Sequence, residues 1–168
     1  MIKINFIEVR DLIEKSVFVD STDEVLVNAD ECSVRIISIG TIDENGLTDY
    51  LFNELGESFE VFEVESDEES INEWKEVNGI DEDECVYNYD VQLQLDNDVI
   101  NDILQDEYYV KIYDDDGCFY MAILEGEISE DEILGTLEEY GISGDRVSVR
   151  TNSLMFFEGT EVQVEVYS

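Results

Sequence analysis

The chain of 168 residues carries 45 Asp and Glu against 8 Lys and Arg, with no His, for a net charge of -37. That charge repels DNA and RNA and so argues against either as a direct ligand, and the missing histidine excludes Ser-His and Cys-His nucleophile pairs and zinc sites built on imidazole. An apolar share of 43% belongs to a folded protein with a core, not to a disordered acidic tail.

Taken in order, Met1 to Phe6 alternates as a strand, and Glu8 to Lys15 suits a short helix. Val17 to Asp20 reads as a strand end and Glu24 to Asn28 as a strand, with a turn at Ala29 to Glu31. Val34 to Ile39 is a strand closed by Gly40. Asp43 then caps a helix with Leu47, Leu51 and Leu55 on its apolar stripe, ending near Gly56. Phe59 to Val64 is a further strand. Asp67 to Val77 looks like a helix with Ile71, Trp74 and Val77 on one side, and Asp81 to Glu84 is an acidic turn leading into an aromatic strand, Cys85 to Tyr89.

The second half repeats the order. Val91 to Leu95 is expected as a strand, Asp98 to Leu104 as a helix, Tyr108 to Tyr113 as a strand, and Asp115-Asp116-Gly117 as a turn. Cys118 to Leu124, the helix Ser129 to Tyr140 and the strand Arg146 to Arg150 follow. Leu154 to Phe157 and Glu161 to Tyr167 form a C-terminal β-hairpin that caps the second sheet.

The two halves match residue by residue. At an offset of about 86 positions, Asp30 falls on Asp116, Cys32 on Cys118, Ile37 on Ile123, Gly40 on Gly126, Ile42 on Ile128, Glu44 on Glu130 and Leu51 on Leu137. We read an internal duplication of a β-α-β-β-α-β unit, the ferredoxin-like order, with antiparallel sheets in an α+β fold. Residues 1–66 are the first repeat, 67–89 an acidic helix and connecting strand, and 90–168 the second repeat with the hairpin.

Positive evidence for catalysis or a resident cofactor is lacking. Cys32, Cys85 and Cys118 have no metal-ligand spacing and read as small core residues of a reduced, cytoplasmic protein. With 45 acids, two neighbouring carboxylates carry no information about acid-base catalysis. An EF-hand loop fails twice: Gly117 follows Asp114 and Asp116 but has Ile112 and Ile123 at the other ligand positions, and Gly46 has Thr41 and Phe52 there. No enzyme, cofactor or metal site is expected, and no window is apolar enough to span a membrane.

The charge itself is the remaining signal. A halophile's solvation coat fits poorly, since Ala occurs only at Ala29 and Ala122 and Ile and Asn are plentiful. The acidic segments instead suggest a partner-binding face made of Asp43, Glu44, Asp67, Glu68, Glu69, Asp81, Glu82, Asp83, Glu84, Asp114, Asp115, Asp116, Glu127, Glu130, Asp131 and Glu132. Tyr87, Tyr89, Tyr108, Tyr109, Tyr113 and Tyr120 are either core residues or interface anchors. Duplex DNA carries one charge per about 1.7 Å, so this net charge equals roughly 18 base pairs or about 60 Å of duplex.

In charge, size and tandem layout the chain resembles the DNA-mimicking counter-defence proteins of phages and plasmids, of the antirestriction and anti-CRISPR type. No motif of that class is present, including the acidic motif of the ArdA-type proteins, so no residue roles carry over. The resemblance implies a cytoplasmic inhibitor that occupies the DNA-binding cleft of a bacterial defence nuclease, without binding nucleic acid or membrane, and is compatible with a homodimer. The rival expectation is an immunity protein or chaperone that neutralises a basic partner such as a toxin.

Overall fold

The computed structural model describes residues 3–18, 26–115, 119–154 and 158–167, with only the backbone of Leu26 and Asp115. Each copy of the duplicated unit opens with a capped helix. In α1 (Phe6–Lys15) the Asn5 side chain accepts from the Ile7 amide at 3.0 Å, and the stripe Phe6, Val9 and Ile13 is buried. In α4 (Asn97–Glu107) Asp96 accepts from the Val99 amide at 2.9 Å, and Ile100, Ile103 and Leu104 are buried. The strand expected over Met1 to Phe6 does not form over its described part: residues 3–5 belong to no element and Phe6 begins the helix. The Asn5 cap and the helical spacing of the apolar residues outweigh a short alternation.

After α1 come β1 (Leu26–Ala29), β2 (Val34–Ser38), α2 (Glu44–Leu55), β3 (Phe59–Val64), α3 (Glu68–Asn78) and β4 (Tyr87–Leu93), and the strands form an antiparallel sheet in the order β1-β2-β4-β3. After α4 come β5 (Val110–Asp115), β6 (Tyr120–Glu125), α5 (Glu130–Glu139), a 3-10 turn (Gly144–Arg146), β7 (Val147–Ser153) and β8 (Gly159–Val166), in the sheet order β5-β6-β8-β7. The two orders are the same strand for strand. The protein is thus an α+β duplication with two four-stranded antiparallel sheets. Each copy runs α-β-β-α-β-β, the expected ferredoxin-like cycle begun one strand later.

That shift moves the boundaries. Val91 to Leu95 does not open the second copy: Val91 pairs with both Val34 and Val61, so β4 is an inner strand of the first sheet. The expected divisions 1–66, 67–89 and 90–168 give way to two compact units, one of residues 5–94 and one that joins residues 3–4 to the chain from Leu95 onward. Residues 67–89 are not a connector; they supply α3 and the first three residues of the inner strand β4. The C-terminal hairpin is β7 with β8, and β8 lies between β6 and β7 instead of capping the sheet. Leu154 lies outside these strands, and 155–157 lie outside the described residues.

Alternation sends one face of each sheet to the helices. In the first unit Val34, Ile36, Val61, Tyr89 and Val91 are buried there, and Phe6 meets Phe59 edge to face at 6.4 Å. In the second unit Tyr120, Ala122, Leu124, Val149, Val162 and Val164 form the corresponding layer. Tyr89 and Tyr120 are core residues, Tyr87, Tyr108 and Tyr113 are half-buried, and Tyr109 is exposed. Tyr140, also buried, donates from its hydroxyl to Glu107 at 2.9 Å. Burial first, and then that bond to a carboxylate, push its pKa up to about 12.

The cysteines depart from the core expectation. Cys85 is exposed and Cys32 half-buried, in the turn before β2. There the Asp30 carboxylate accepts from the amides of Cys32 and Ser33, both at 2.8 Å, so the strand begins only at Val34. Cys118 lies outside the described residues.

Leu51 and Leu137 sit at matching positions of α2 and α5, and both are fully buried. Leu51→Ala and Leu137→Ala are each expected to cost about 2–5 kcal/mol, read as a lowered urea midpoint at an unchanged m-value; a change within error at either position would contradict the equivalence of the two cores.

Candidate functional site

Strand direction decides where the acids gather. Ser38 at the end of β2 pairs with Tyr87 at the start of β4, and Val64 at the end of β3 pairs with Asn88. The chain therefore leaves β2 for α2, leaves β3 for α3, and enters β4, all at one end of the first sheet. Asp43 and Glu44, Asp67 to Glu69, and Asp81 to Glu84 are all brought to this end. The second unit repeats the arrangement. Glu125 at the end of β6 pairs with Gly159 at the start of β8, the Gly126 amide donates to the Glu158 carbonyl at 3.1 Å, and Glu127 to Glu132 lead into α5 at that same end.

Asp114 and Asp115 are elsewhere. Asp115 pairs with Tyr120, the first residue of β6, and six residues of strand, about 17 Å, separate this end from Glu125. Asp114 is exposed there; Asp116 lies outside the described residues. The second unit thus does not unite Asp114 and Asp115 with Glu127 to Glu132 on one end.

Two classes of carboxylate share the acidic ends. The first holds the fold. Asp43 accepts from the Gly46 amide at 3.0 Å, Asp67 accepts from the Ser70 amide and hydroxyl, and Glu130 accepts from the Thr151 amide at 3.4 Å. The bonds from Ser70 hold the Asp67 carboxyl below the ordinary carboxylate value. The second class comprises Glu68, Glu69, Asp81, Glu82, Asp83, Glu84, Glu127, Asp131 and Glu132, all exposed. Among the described residues none of these nine carboxylates takes part in an ion pair. The helix N-termini offset part of their mutual repulsion, since the dipole there favours negative charge.

Three of the cations are held by other groups. Arg35 is bonded to Asp90 at 2.7 Å and Lys3 to Glu139 at 3.2 Å. Lys75 is buried, and its ammonium donates to the Glu82 carbonyl at 3.0 Å. This contact pins the Asp81 to Glu84 loop against α3 while leaving its side chains outside. Sequence reasoning missed it; an isolated lysine in an acidic helix carries no local sign of its long-range partner.

Matching backbone features support both ends. Gly40 and Gly126 close β2 and β6 with φ of 139° and 92°, a region that side chains strain to enter. The amides of Ile42 and Ile128 beyond them are held by hydroxyls, Tyr89 at 3.2 Å and Thr160 at 3.1 Å. The loops that present the acids are thus anchored to an inner strand in each copy.

No group of three or more Cys, Asp or Glu that could hold a metal ion occurs among the described residues. No helix there is long and apolar enough to cross a membrane. Comparison with protein-family models, with curated proteins and with solved structures returns no match.

Two outcomes are expected from this electrostatics. Thermal midpoints should rise between low and moderate NaCl as screening relieves self-repulsion; a flat or falling dependence in a series of melts would contradict it. The bonds at Asp67 stabilise α3 above the carboxyl's unfolded pKa, near 3.9, and that contribution is lost as pH falls through the lower folded value. Asp67→Ala should therefore speed exchange of the Ser70 amide at pH 7 and narrow the difference from the parent protein at acid pH.

Proposed function

We propose that this protein is a stoichiometric, non-enzymatic inhibitor that presents carboxylates where DNA phosphates would lie. It blocks the basic cleft of a DNA-binding protein, a bacterial defence nuclease, in the cytoplasm. The observation that carries this reading is the set of exposed carboxylates, outside any ion pair among the described residues, at equivalent ends of two duplicated units, in a chain of net charge -37. Keeping so many like charges together costs stability, which is offset when a cationic surface meets them.

The charge steers encounter and accelerates association, while a smaller set of desolvated contacts sets the residence time. The two classes of carboxylate divide the work. Asp43, Asp67 and Glu130 hold backbone amides; Glu68, Glu69, Asp81 to Glu84, Glu127, Asp131 and Glu132 face the partner.

Capture from bacterial lysate at physiological salt, repeated with excess duplex DNA, tests the reading. The expected result is retention of a DNA-binding protein that the duplex releases. A retained basic partner indifferent to DNA would overturn mimicry in favour of an immunity protein. With the partner in hand, Lys substitutions at Glu68, Glu69, Asp83, Glu127, Asp131 and Glu132 should slow association several-fold per reversal at low salt and leave melting unimpaired. Unchanged rates through the series would remove these ends from the interface.

A further inference from the structure

The two sheets are duplicates, yet their outer faces differ in cover and in charge. In the first copy alternation puts Ile37 and Asn88 on the face away from the buried layer of Ile36, Tyr89 and Val91. The amphipathic helix α3 covers that face: its Ile71 and Trp74 line a half-open pocket together with Ile37 and Asn88 of the sheet. In the second copy only residues 154–158 separate β7 from β8, too short a stretch for such a helix. Its outer face is apolar toward the β5 edge. Ile123, the duplicate of Ile37, pairs with Ile112, and Met121 follows on the same side. A Cβ at Gly159 would stand 3.4 Å from Ile123 and 3.7 Å from Leu154, so these two side chains close over the glycine. Ile112 is 60% exposed, and Tyr109, just before β5, is 67% exposed. Apolar side chains gathered and left open in this way mark a contact surface.

The charges at equivalent positions say what fits there. The first face has Asn28 opposite Arg35 and Asn88 opposite Ile37; the second has Asp114 opposite Met121 and Glu161 opposite Ile123. Two neutral amides have become carboxylates, while the Arg35–Asp90 ion pair has become the uncharged pair Met121 and Gln163. The first face thus carries no net charge at these positions, and it lies under a helix with Glu68, Glu69, Glu73 and Glu76 against Lys75. The second face is acidic and calls for the opposite sign. Glu125, exposed at the end of β6, adds a third carboxylate, and Arg150, opposite Gln163, is a cation on the far half of the face. A second copy of this chain would bring its own Asp114 and Glu161 against these, so like charge opposes self-association here. The strands β5, β6 and β8 span about 10 Å, the width of one helix with its side chains.

We propose that the outer face of the second sheet binds a basic amphipathic α-helix of a partner protein. The apolar stripe of that helix lies on Ile112, Met121 and Ile123, and Lys or Arg along its flanks meets Asp114, Glu125 and Glu161. The inference goes beyond the inhibitor reading, since it concerns a sheet face instead of the helix starts and holds whether or not the partner binds DNA.

The full chain is titrated at physiological salt with a fluorescein-labelled peptide of about 18 residues, Leu at helical spacing and Lys elsewhere. A peptide of the same composition in strict alternation, which has no helical stripe, measures attraction by charge alone. Saturable one-to-one binding of the helical peptide is expected, about tenfold tighter than the alternating one, with shifts of the ¹³C-methyl resonances of Ile112, Met121 and Ile123. Ile112→Ser, which changes no charge, should weaken it about tenfold. Asp114→Asn with Glu161→Asn, which restores the first copy's residues, should weaken it about fivefold. That loss should exceed the effect of Glu14→Gln with Glu54→Gln, an equal change of charge at exposed positions of α1 and α2. Melts show which variants fold, and either Ile112→Ser or the Asn pair suffices. Equal binding of the two peptides, undiminished binding by a folded variant, or a loss no greater than that of the Gln pair overturns the proposal. So do methyl shifts that follow protein concentration without peptide, which would make the occupant a second copy.

Discussion

Repulsion among carboxylates is the constraint on which the rest of this structure depends. Two such charges about 7 Å apart repel by about 0.6 kcal/mol even in water before screening, and 45 acids create many such pairs. None can be buried cheaply, so the core comes from alternate residues of the strands and from the narrow stripes of α1, α2, α4 and α5. The acids are left to the solvent faces and to the helix starts. At a helix N-terminus a carboxylate gains about 0.3–1 kcal/mol from the dipole, the same order as one repulsive pair. Asp43, Asp67 and Asp96 add cap bonds to that gain.

The duplication turns this local compensation into a pattern. Because each copy exits two strands and enters a third at one end of its sheet, helix starts and their acids accumulate there. The copies then diverge at one point. The first inserts α3 between its last two strands, and with it the buried Lys75, the pinned Asp81 to Glu84 loop and the cavity under Trp74. In the second, β7 and β8 pair with each other and no helix lies between them among the described residues.

The sequence showed clearly what is local. Gly40 and Gly126, the caps Asp43 and Ser129, and the leucine stripes of α2 and α5 lie within single turns of chain, and their spacing alone declares the duplication. Pairing across the sheet was not legible. Val91 reads equally well as the start of a second copy or as the partner of Val34 and Val61, and only the assembled sheet distinguishes these. The same non-locality misplaced Asp114 and Asp115, which follow the right composition but stand at the opposite end from Glu127 to Glu132. The Asn5 cap defeated the alternation of the first residues, and the Asp30 turn holds Cys32 half-buried instead of in the core. Trp74 and Asn88, far apart in sequence, gave no sign of meeting one cavity.

Hydrogen–deuterium exchange on the complex with the captured partner tests the central claim most directly, because it reads which ends of the sheets are covered. Slowed exchange in the first turns of α2, α3 and α5 and in the loop before β4, with the turn between β1 and β2 unchanged, is the predicted footprint. Protection confined to that opposite turn, with the three helix starts exchanging as in the free protein, would contradict the account.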